Sequence, residues 1–595
     1  MKQKVMSYPP GDASTSYPAP DVAMNAPLEA ESCGATVGGA ARSTDSGDAN
    51  VGSFTTRFSE RVRAELHSSP VPNLPLKDPH EEWKAHGPVE PNLQPVSGRE
   101  EDYMKRREAL LRAEQTHSSS WQKQARSNAS LLEVQAQQVV FKIRECERIN
   151  LFGNLPGEAV PDDEKTRDMG GRFLRNINLI EDSKVLDIAR HAPKGCHLHL
   201  HFNSQLDPTK LLLEAKELVP DTMFVRCTPR PLLTEKHFQD TEIIFNVLPA
   251  DTPTGNIFAA DYNPNVKAPG SSPWMKWQTF CDEFLNQVAV LDGPLPEPES
   301  TVKSLRPAEN WAREKMVITS ANEHGTSLAP QTHNGAWACF NQGTRAFKGL
   351  LNYESIYTKY IGLAIDNMVE DCIMYCEMRP MLLDKCIPTD DGKGQLDHAA
   401  QMRIVCREMK VKQEQYGDRF PFGVKVIYCT PRSIPRERMR IELRNCLKLK
   451  QEFPDLICGF DLVGAEDRPN SISFYADLLV EFTEACATLP EPVSIPFMFH
   501  AGETLLDTGG SHDPSKSNLY DSLLLNAKRI GHGYALLKHP MLVERYKAAG
   551  ICLELCPISN ELLHLCGNAR EHPFPELLAA GLHCSLNSDN PSLFR

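Results

Sequence analysis

Residues 194–203 read KGCHLHLHFN, with histidines at 197, 199 and 201. Alternate side chains of a strand point to one face, so His197, His199 and His201 would crowd a single side. Imidazoles placed that way can hold a metal, or they can fill a core as hydrogen-bonded rings. Other apolar runs also end in polar residues: F-H-A-G-E around His500, G-H-G around His532, C-P-I-S-N from Cys556 and S-D-N around Asp589. A histidine pair, a further histidine and an aspartate converging on one place supply the four nitrogen and oxygen ligands that zinc takes. Singly each signal is weak, since a lone buried histidine is commonly a core residue and an aspartate after a strand commonly caps the next helix. Together they weigh more, because burying so many unpaired polar groups without a shared purpose costs several kcal/mol.

These residues meet only if the runs that carry them lie side by side. Eight short apolar runs read as buried parallel strands: CHLHLHF from Cys196, CIMYCEMRP from Cys372, FGVKVIYCTPR from Phe422 and LICGFDLVG from Leu456, then IPFMFHAGE from Ile495, KRIGHGYAL from Lys528, GICLELCPISN from Gly550 and HCSLNSDN from His583. Helix-like stretches such as RERMRIELRNCLKLKQEF and SFYADLLVEFTEACATL separate them. The pattern predicts an α/β fold, a (β/α)8 TIM-type barrel over 186–595, whose active site collects at the C-terminal strand ends. About 160 residues separate the first two runs, far more than one helix needs, and predict an inserted lobe over about 207–335. Apolar residues at helical spacing in EDYMKRREALLRAEQ and ASLLEVQAQQVVFKIRECERI predict a helical N-terminal extension over 96–185. Residues 1–95, rich in Pro, Ser, Gly, Ala and Asp, read as a disordered low-complexity region. The sequence ends at Arg595, directly after the eighth run, where the pattern calls for one more covering helix.

The balance of charge narrows the partners. With 78 acidic against 64 basic residues the net charge is −14, which argues against a polyanion such as DNA. No apolar run is long enough to span a membrane, and the N-terminus MKQKVMSYPPGDAS lacks the apolar core of a signal peptide, so a cytoplasmic protein is expected. The 18 cysteines fall mostly inside apolar runs and never as C-x-x-C, which excludes a cysteine-rich zinc module and fits a reducing compartment.

Taken as a set, H-L-H-F-N, F-H-A-G-E-T, R-I-G-H-G, L-E-L-C-P-I-S-N and S-L-N-S-D-N-P resemble the adenosine deaminase family. A-P-K-G before the histidines, G-F-D-L-V-G-A-E-D, the long insertion and the leading helices resemble its growth-factor-like branch, the type 2 adenosine deaminases. The resemblance runs over roughly 100–595 and implies one zinc ion per chain, held by His199, His201, His500 and Asp589, with His197 packed behind the pair. It implies hydrolytic loss of the C6 amino group of adenosine or 2′-deoxyadenosine, giving the inosine nucleoside and ammonia. Glu503 would be protonated and donate to purine N1, His532 would orient the water and accept its proton, and Asp589 would aim the nucleophile. Gly464 would meet purine N3 through its backbone, Asn203 the ribose, Trp274 the ligand from within the insertion, and Asn590 purine N7. The family has aspartate where Asn203 and Asn590 stand here, so two charges are missing from the substrate side. Members of the branch tend to pair through their N-terminal helices, so a homodimer is expected.

Three readings stay open on the sequence: this deaminase, a deaminase of another aminopurine (adenine, a modified adenosine or AMP), and a non-catalytic binding or signalling relative. The intact set of His199, His201, His500, Glu503, His532 and Asp589 speaks against the last. A flipped-base nucleic-acid deaminase is excluded, since its P-C-x-x-C zinc signature is absent.

Overall fold

Each of the eight apolar runs contributes a parallel strand. In a computed structural model they are β1 (Gly195–His201), β2 (Ile373–Arg379), β3 (Gly423–Pro431), β4 (Ile457–Val463), β5 (His500–Ala501), β6 (Arg529–His532), β7 (Cys552–Leu555) and β8 (His583–Leu586). The structure describes residues 98–117, 127–154, 166–268, 270–291, 302–318, 333–467, 470–505 and 516–593, so the expected low-complexity region 1–95 lies outside the described residues. Two four-stranded parallel sheets form, β1-β2-β3-β4 and β5-β6-β7-β8. Both seams between them are bridged by backbone hydrogen bonds. At one, the Phe460 N–H donates to the Pro496 carbonyl and the Met498 N–H to the Phe460 carbonyl, each at 3.0 Å. At the other, the His201 N–H donates to the Asp589 carbonyl (3.0 Å) and the Asp589 N–H to the His199 carbonyl (3.3 Å). The eight strands therefore close into a TIM-type ring, as the pattern predicted.

The fifth strand is shorter than the run IPFMFHAGE suggested. Pro496 has no N–H to give a ladder, so this seam holds through a carbonyl and a single bridge before regular pairing begins at His500. Helices cover the outside of the ring, among them His398–Tyr416, Arg436–Glu452, Ala476–Thr488 and Pro540–Ala549. They start where the sequence provides caps: the Asp397 carboxylate accepts from the Ala400 N–H at 2.8 Å, and Pro540 occupies the first turn of its helix.

Between β1 and β2 the chain builds a three-stranded antiparallel sheet, with Met223–Thr228 flanked by Glu242–Val247 and Met275–Lys276. Phe238, Phe258, Phe280, Phe284 and Trp311 pack ring on ring behind it. The long helix His333–Leu351 returns from this lobe and lies so close to strand Glu242–Val247 that Gly349 has no room for a side chain: a Cβ would strike the Phe245 carbonyl oxygen. Upstream of the ring stand helices Arg99–Thr116, Leu131–Asn150, Phe173–Glu181 and Lys184–His191. Ser130 and Glu133 form a reciprocal capping box at the start of the second. The first buries none of its residues. Among the described residues no helix is long and apolar enough to cross a membrane.

The contact at Gly349 yields a test of how the lobe is held. Gly349→Ala forces helix and strand apart and lowers stability by about 1–3 kcal/mol, as overpacking does. A thermal melt shows the loss as a lower Tm; an unchanged Tm would contradict the close approach.

Candidate metal centre and active site

The C-terminal ends of the strands place the predicted residues together. His199 and His201 leave β1 on one face, His500 opens β5, His532 ends β6, and Asp589 follows β8. His532 and Asp589 both hold left-handed backbone angles, φ 64° and 59°, unusual for residues with a side chain. Strain of this kind persists where the surroundings enforce it and clusters at functional sites. Gly531 is required beside them, because a Cβ there would run into the His199 ring.

Donor atoms of His199, His201, His500 and Asp589 lie close together. His199 Nε2 lies 3.1 Å from His500 Nε2 and 3.6 Å from Asp589 Oδ1. His201 Nε2 lies 3.3 Å from His500 Nε2 and 3.2 Å from Asp589 Oδ1. A tetrahedral zinc with ligands at about 2.0–2.1 Å sets neighbouring ligand atoms about 3.3 Å apart. The other ring nitrogens settle what these atoms carry: His199 Nδ1 is 2.9 Å from Glu554 Oε2 and His500 Nδ1 is 2.8 Å from Asp461 Oδ2. Carboxylates only accept, so both Nδ1 atoms donate and both neutral rings turn a bare lone pair on Nε2 inward. Lone pairs 3.1 Å apart repel unless a positive centre sits between them. One proton, which Asp589 and Glu554 favour on His199, serves one such pair but not three nitrogens and a carboxylate oxygen at once. The donor set fits a metal ion. His532 Nε2 lies 3.9 Å from the other oxygen, Asp589 Oδ2, and His199, His500, His532 and Asp589 also bring their donor atoms close enough together to hold a cation.

Behind the histidines lies a charge network that sequence reasoning did not assign. Arg379, buried on β2, donates from Nε to Asp461 Oδ2 (2.8 Å), from Nη2 to Glu554 Oε2 (2.6 Å) and from Nη1 to the Leu198 carbonyl (2.8 Å). Arg529 adds a bond from Nε to Glu554 Oε1 at 2.6 Å. Burial alone would raise both carboxyls; Arg379 and His199 hold Glu554 well below its usual range, and His500 and Arg379 do the same for Asp461. The available signal was a charge inside an apolar strand run, as in G-F-D-L-V, L-E-L-C-P and C-E-M-R-P, since a buried charge must be paired.

Glu503 sits beside the cluster with Oε1 3.3 Å from His532 Nε2. Burial, then the Asp589 and Glu466 carboxylates, push its carboxyl well above the usual range. Glu466, also missed, clamps the loop: it accepts from the Gly502 N–H (2.9 Å), the Glu503 N–H (2.8 Å) and Asn518 Nδ2 (2.8 Å). His197 lies apart from the cluster, its Nε2 accepting from the Ser588 N–H at 3.3 Å.

The residues expected on the substrate side sit on four separate segments. Asn203 lies in the 3-10 turn Phe202–Ser204 directly after β1. Gly464 follows β4 at φ 98°, a conformation that favours glycine. Asn590 is buried and engaged: its Nδ2 donates to Asp589 Oδ1 at 2.7 Å and its Oδ1 accepts from Ser204 Oγ at 2.6 Å. An amide nitrogen has two hydrogens, so this leaves one for a purine nitrogen. Trp274 precedes the strand Met275–Lys276 in the lobe, with the Arg226 guanidinium 5.3 Å over its ring. Its observed partners lie in the lobe and not at the histidine cluster.

Because Asp461 points His500 with both oxygens, Asp461→Asn weakens divalent metal binding about 10–100-fold. Competition against a chromophoric chelator measures this; wild-type affinity in the variant would contradict the role given to the carboxylate.

The sequence model of the adenosine deaminase family matches residues 331–595. Adenosine deaminase 2-A of Danio rerio is 33% identical over 424 residues, covering 71% of this chain and 72% of that one. An adenosine deaminase of Phlebotomus duboscqi is 34% identical over 423 residues, 71% of this chain and 69% of its own. Adenosine deaminase 2 of Homo sapiens is 28% identical over 424 residues, 71% of each. With the barrel, the converging histidines and these relatives in place, the chain belongs to the adenosine deaminase family of hydrolytic enzymes, in its adenosine deaminase 2 branch.

Proposed function

We propose that the protein is a zinc-dependent deaminase that converts adenosine and 2′-deoxyadenosine, with water, to inosine and 2′-deoxyinosine plus ammonia. The observation that carries this reading is the neighbourhood of Glu503: a buried carboxyl held above its normal range, beside the His199, His201, His500 and Asp589 donor atoms, which approach one another to 3.1–3.6 Å. Glutamic acid so placed can donate its proton to purine N1, which a carboxylate cannot do. A divalent cation nearby opposes that protonation, and burial with the Asp589 and Glu466 charges works against the cation. His199, His201, His500 and Asp589 Oδ1 would hold one zinc ion, which lowers the pKa of a bound water from about 15.7 toward 7.

The chain's own groups divide the remaining work. Glu503 gives a proton to N1, so that C6 accepts the attacking oxygen and the ring gives up its aromaticity. Asp589 Oδ2 and His532 Nε2 face the side from which that oxygen arrives and set its direction. The proton of the hydroxyl group now on C6 passes to the amino group, ammonia leaves, and the proton that water gives up on ionising returns Glu503 to its acid form. Gly464 contributes its backbone to N3, Asn203 contacts the ribose, and Asn590 turns its second amide hydrogen to N7, with Trp274 as a further contact from the lobe. Asn203 and Asn590 bring no charge to the substrate, which suits a neutral nucleoside and supplies nothing for a phosphate.

Purified protein mixed with adenosine should release ammonia and shift the ultraviolet band to that of inosine. Adenine, AMP and N6-substituted adenosines run alongside separate the aminopurines, and turnover of one of these in place of adenosine would replace the substrate named here. Glu503→Gln should keep its metal and lose turnover about 10²–10⁴-fold; near-normal turnover would remove Glu503 as the proton donor.

A further inference from the structure

The hydrogen bonds behind His532 run in one direction and begin at a donor that cannot reverse. The backbone N–H of Phe574 donates to Nδ1 of His572 at 3.1 Å. A ring nitrogen that accepts carries no hydrogen, and burial pulls the pKa of His572 down to about 4, so the ring is neutral with its proton on Nε2. That Nε2 lies 3.0 Å from Asn560 Oδ1, which fixes the amide: the oxygen faces His572. The Asn560 Nδ2 then donates to His532 Nδ1, also at 3.0 Å. His532 therefore accepts at Nδ1 and keeps its hydrogen on Nε2. That atom is buried with no hydrogen-bond partner in the protein, 3.3 Å from Glu503 Oε1 and 3.9 Å from Asp589 Oδ2.

We propose that Asn560 and His572 are positioning residues that hold the His532 proton at Nε2, so that His532 presents a hydrogen-bond donor to the nucleophilic oxygen. The sequence led to the opposite direction, with His532 accepting the proton of the water. Three features favour a built relay over incidental packing. All three side chains are buried, so solvent cannot exchange the two ends of the chain. The Tyr534 ring stands edge-on to His572 at 5.5 Å, and its hydroxyl donates to the Leu565 carbonyl at 2.7 Å, which braces the imidazole. Asn560 belongs to the turn of helix Pro557–Leu562 directly after β7, so its amide is carried by the barrel itself. A donor at Nε2 directs the nucleophilic oxygen and stabilises charge on it; a bare nitrogen would do neither. The consequence for catalysis rests on the deaminase reading, whereas the position of the proton does not.

Neutron diffraction from deuterium-exchanged crystals of the metal-loaded protein shows the proton directly. Deuterium at His532 Nε2 with none at Nδ1 is expected, and deuterium at Nδ1 overturns the proposal, with no variant needed. Asn560→Asp, nearly the same shape, accepts on both sides and forces the His532 proton to Nδ1. Its kcat for adenosine should fall about 10–100-fold with little change in KM, and an unchanged kcat would overturn the role of the relay. His572→Leu should lose turnover as well. His572→Gln keeps a donor toward Asn560 and should restore most of that loss; equal losses in the two would mean packing rather than polarity and overturn the proposal. A wild-type map with deuterium at Nε2, in protein that releases no ammonia from adenosine, would uphold the relay and overturn the deaminase reading.

Discussion

One buried guanidinium governs the geometry of the site. Arg379 joins the two carboxylates, Asp461 and Glu554, that aim His500 and His199, so neither ring can rotate without breaking a charged hydrogen bond. Removing Arg379 would strip the buried Asp461 and Glu554 carboxylates of the guanidinium they share, a cost of several kcal/mol. The inward lone pairs that call for a metal are thus produced from outside the cluster. Position is set first, and the affinity for a cation follows from it.

The same residues close the barrel. The seam between β1 and β8 holds backbone bonds from His201 to Asp589 and from Asp589 to His199, so three of the four proposed ligands sit on the hydrogen bonds that join the first strand to the last. Left-handed backbone at Asp589 and His532 is tolerated because ring closure on one side and the packed strands on the other over-determine it. A chain that failed to close the seam would also lack the fourth ligand.

Much of this was legible in the sequence, and the limits have physical causes. The eight strands could be read because strands buried on both faces are continuous apolar runs. Alternation puts His197, His199 and His201 on one face without choosing among them, and the likeness of H-L-H-F-N to the adenosine deaminases singled out His199 and His201. Arg379, Asp461, Glu554 and Glu466 went unassigned because their partners lie far off in sequence: Arg379 meets Glu554 across 175 positions, and no local pattern encodes that pairing. The shortness of β5 is marked in the run itself by Pro496, which has no N–H for a ladder. The direction of the hydrogen bond at His532 depends on a backbone N–H at Phe574, and a backbone donor leaves no trace in residue type. Asn590, expected to face substrate alone, also braces Asp589, a side-chain bond between neighbours that strand periodicity does not reveal.

The proposed chemistry depends on a single cation between three imidazoles and one carboxylate. Crystals of the metal-loaded protein, measured on either side of the zinc absorption edge, test this most directly. One anomalous peak is predicted, with His199 Nε2, His201 Nε2, His500 Nε2 and Asp589 Oδ1 each at about 2.0–2.2 Å. A peak ligated by His532 in place of His201, or no peak at the cluster in zinc-loaded protein, would contradict it.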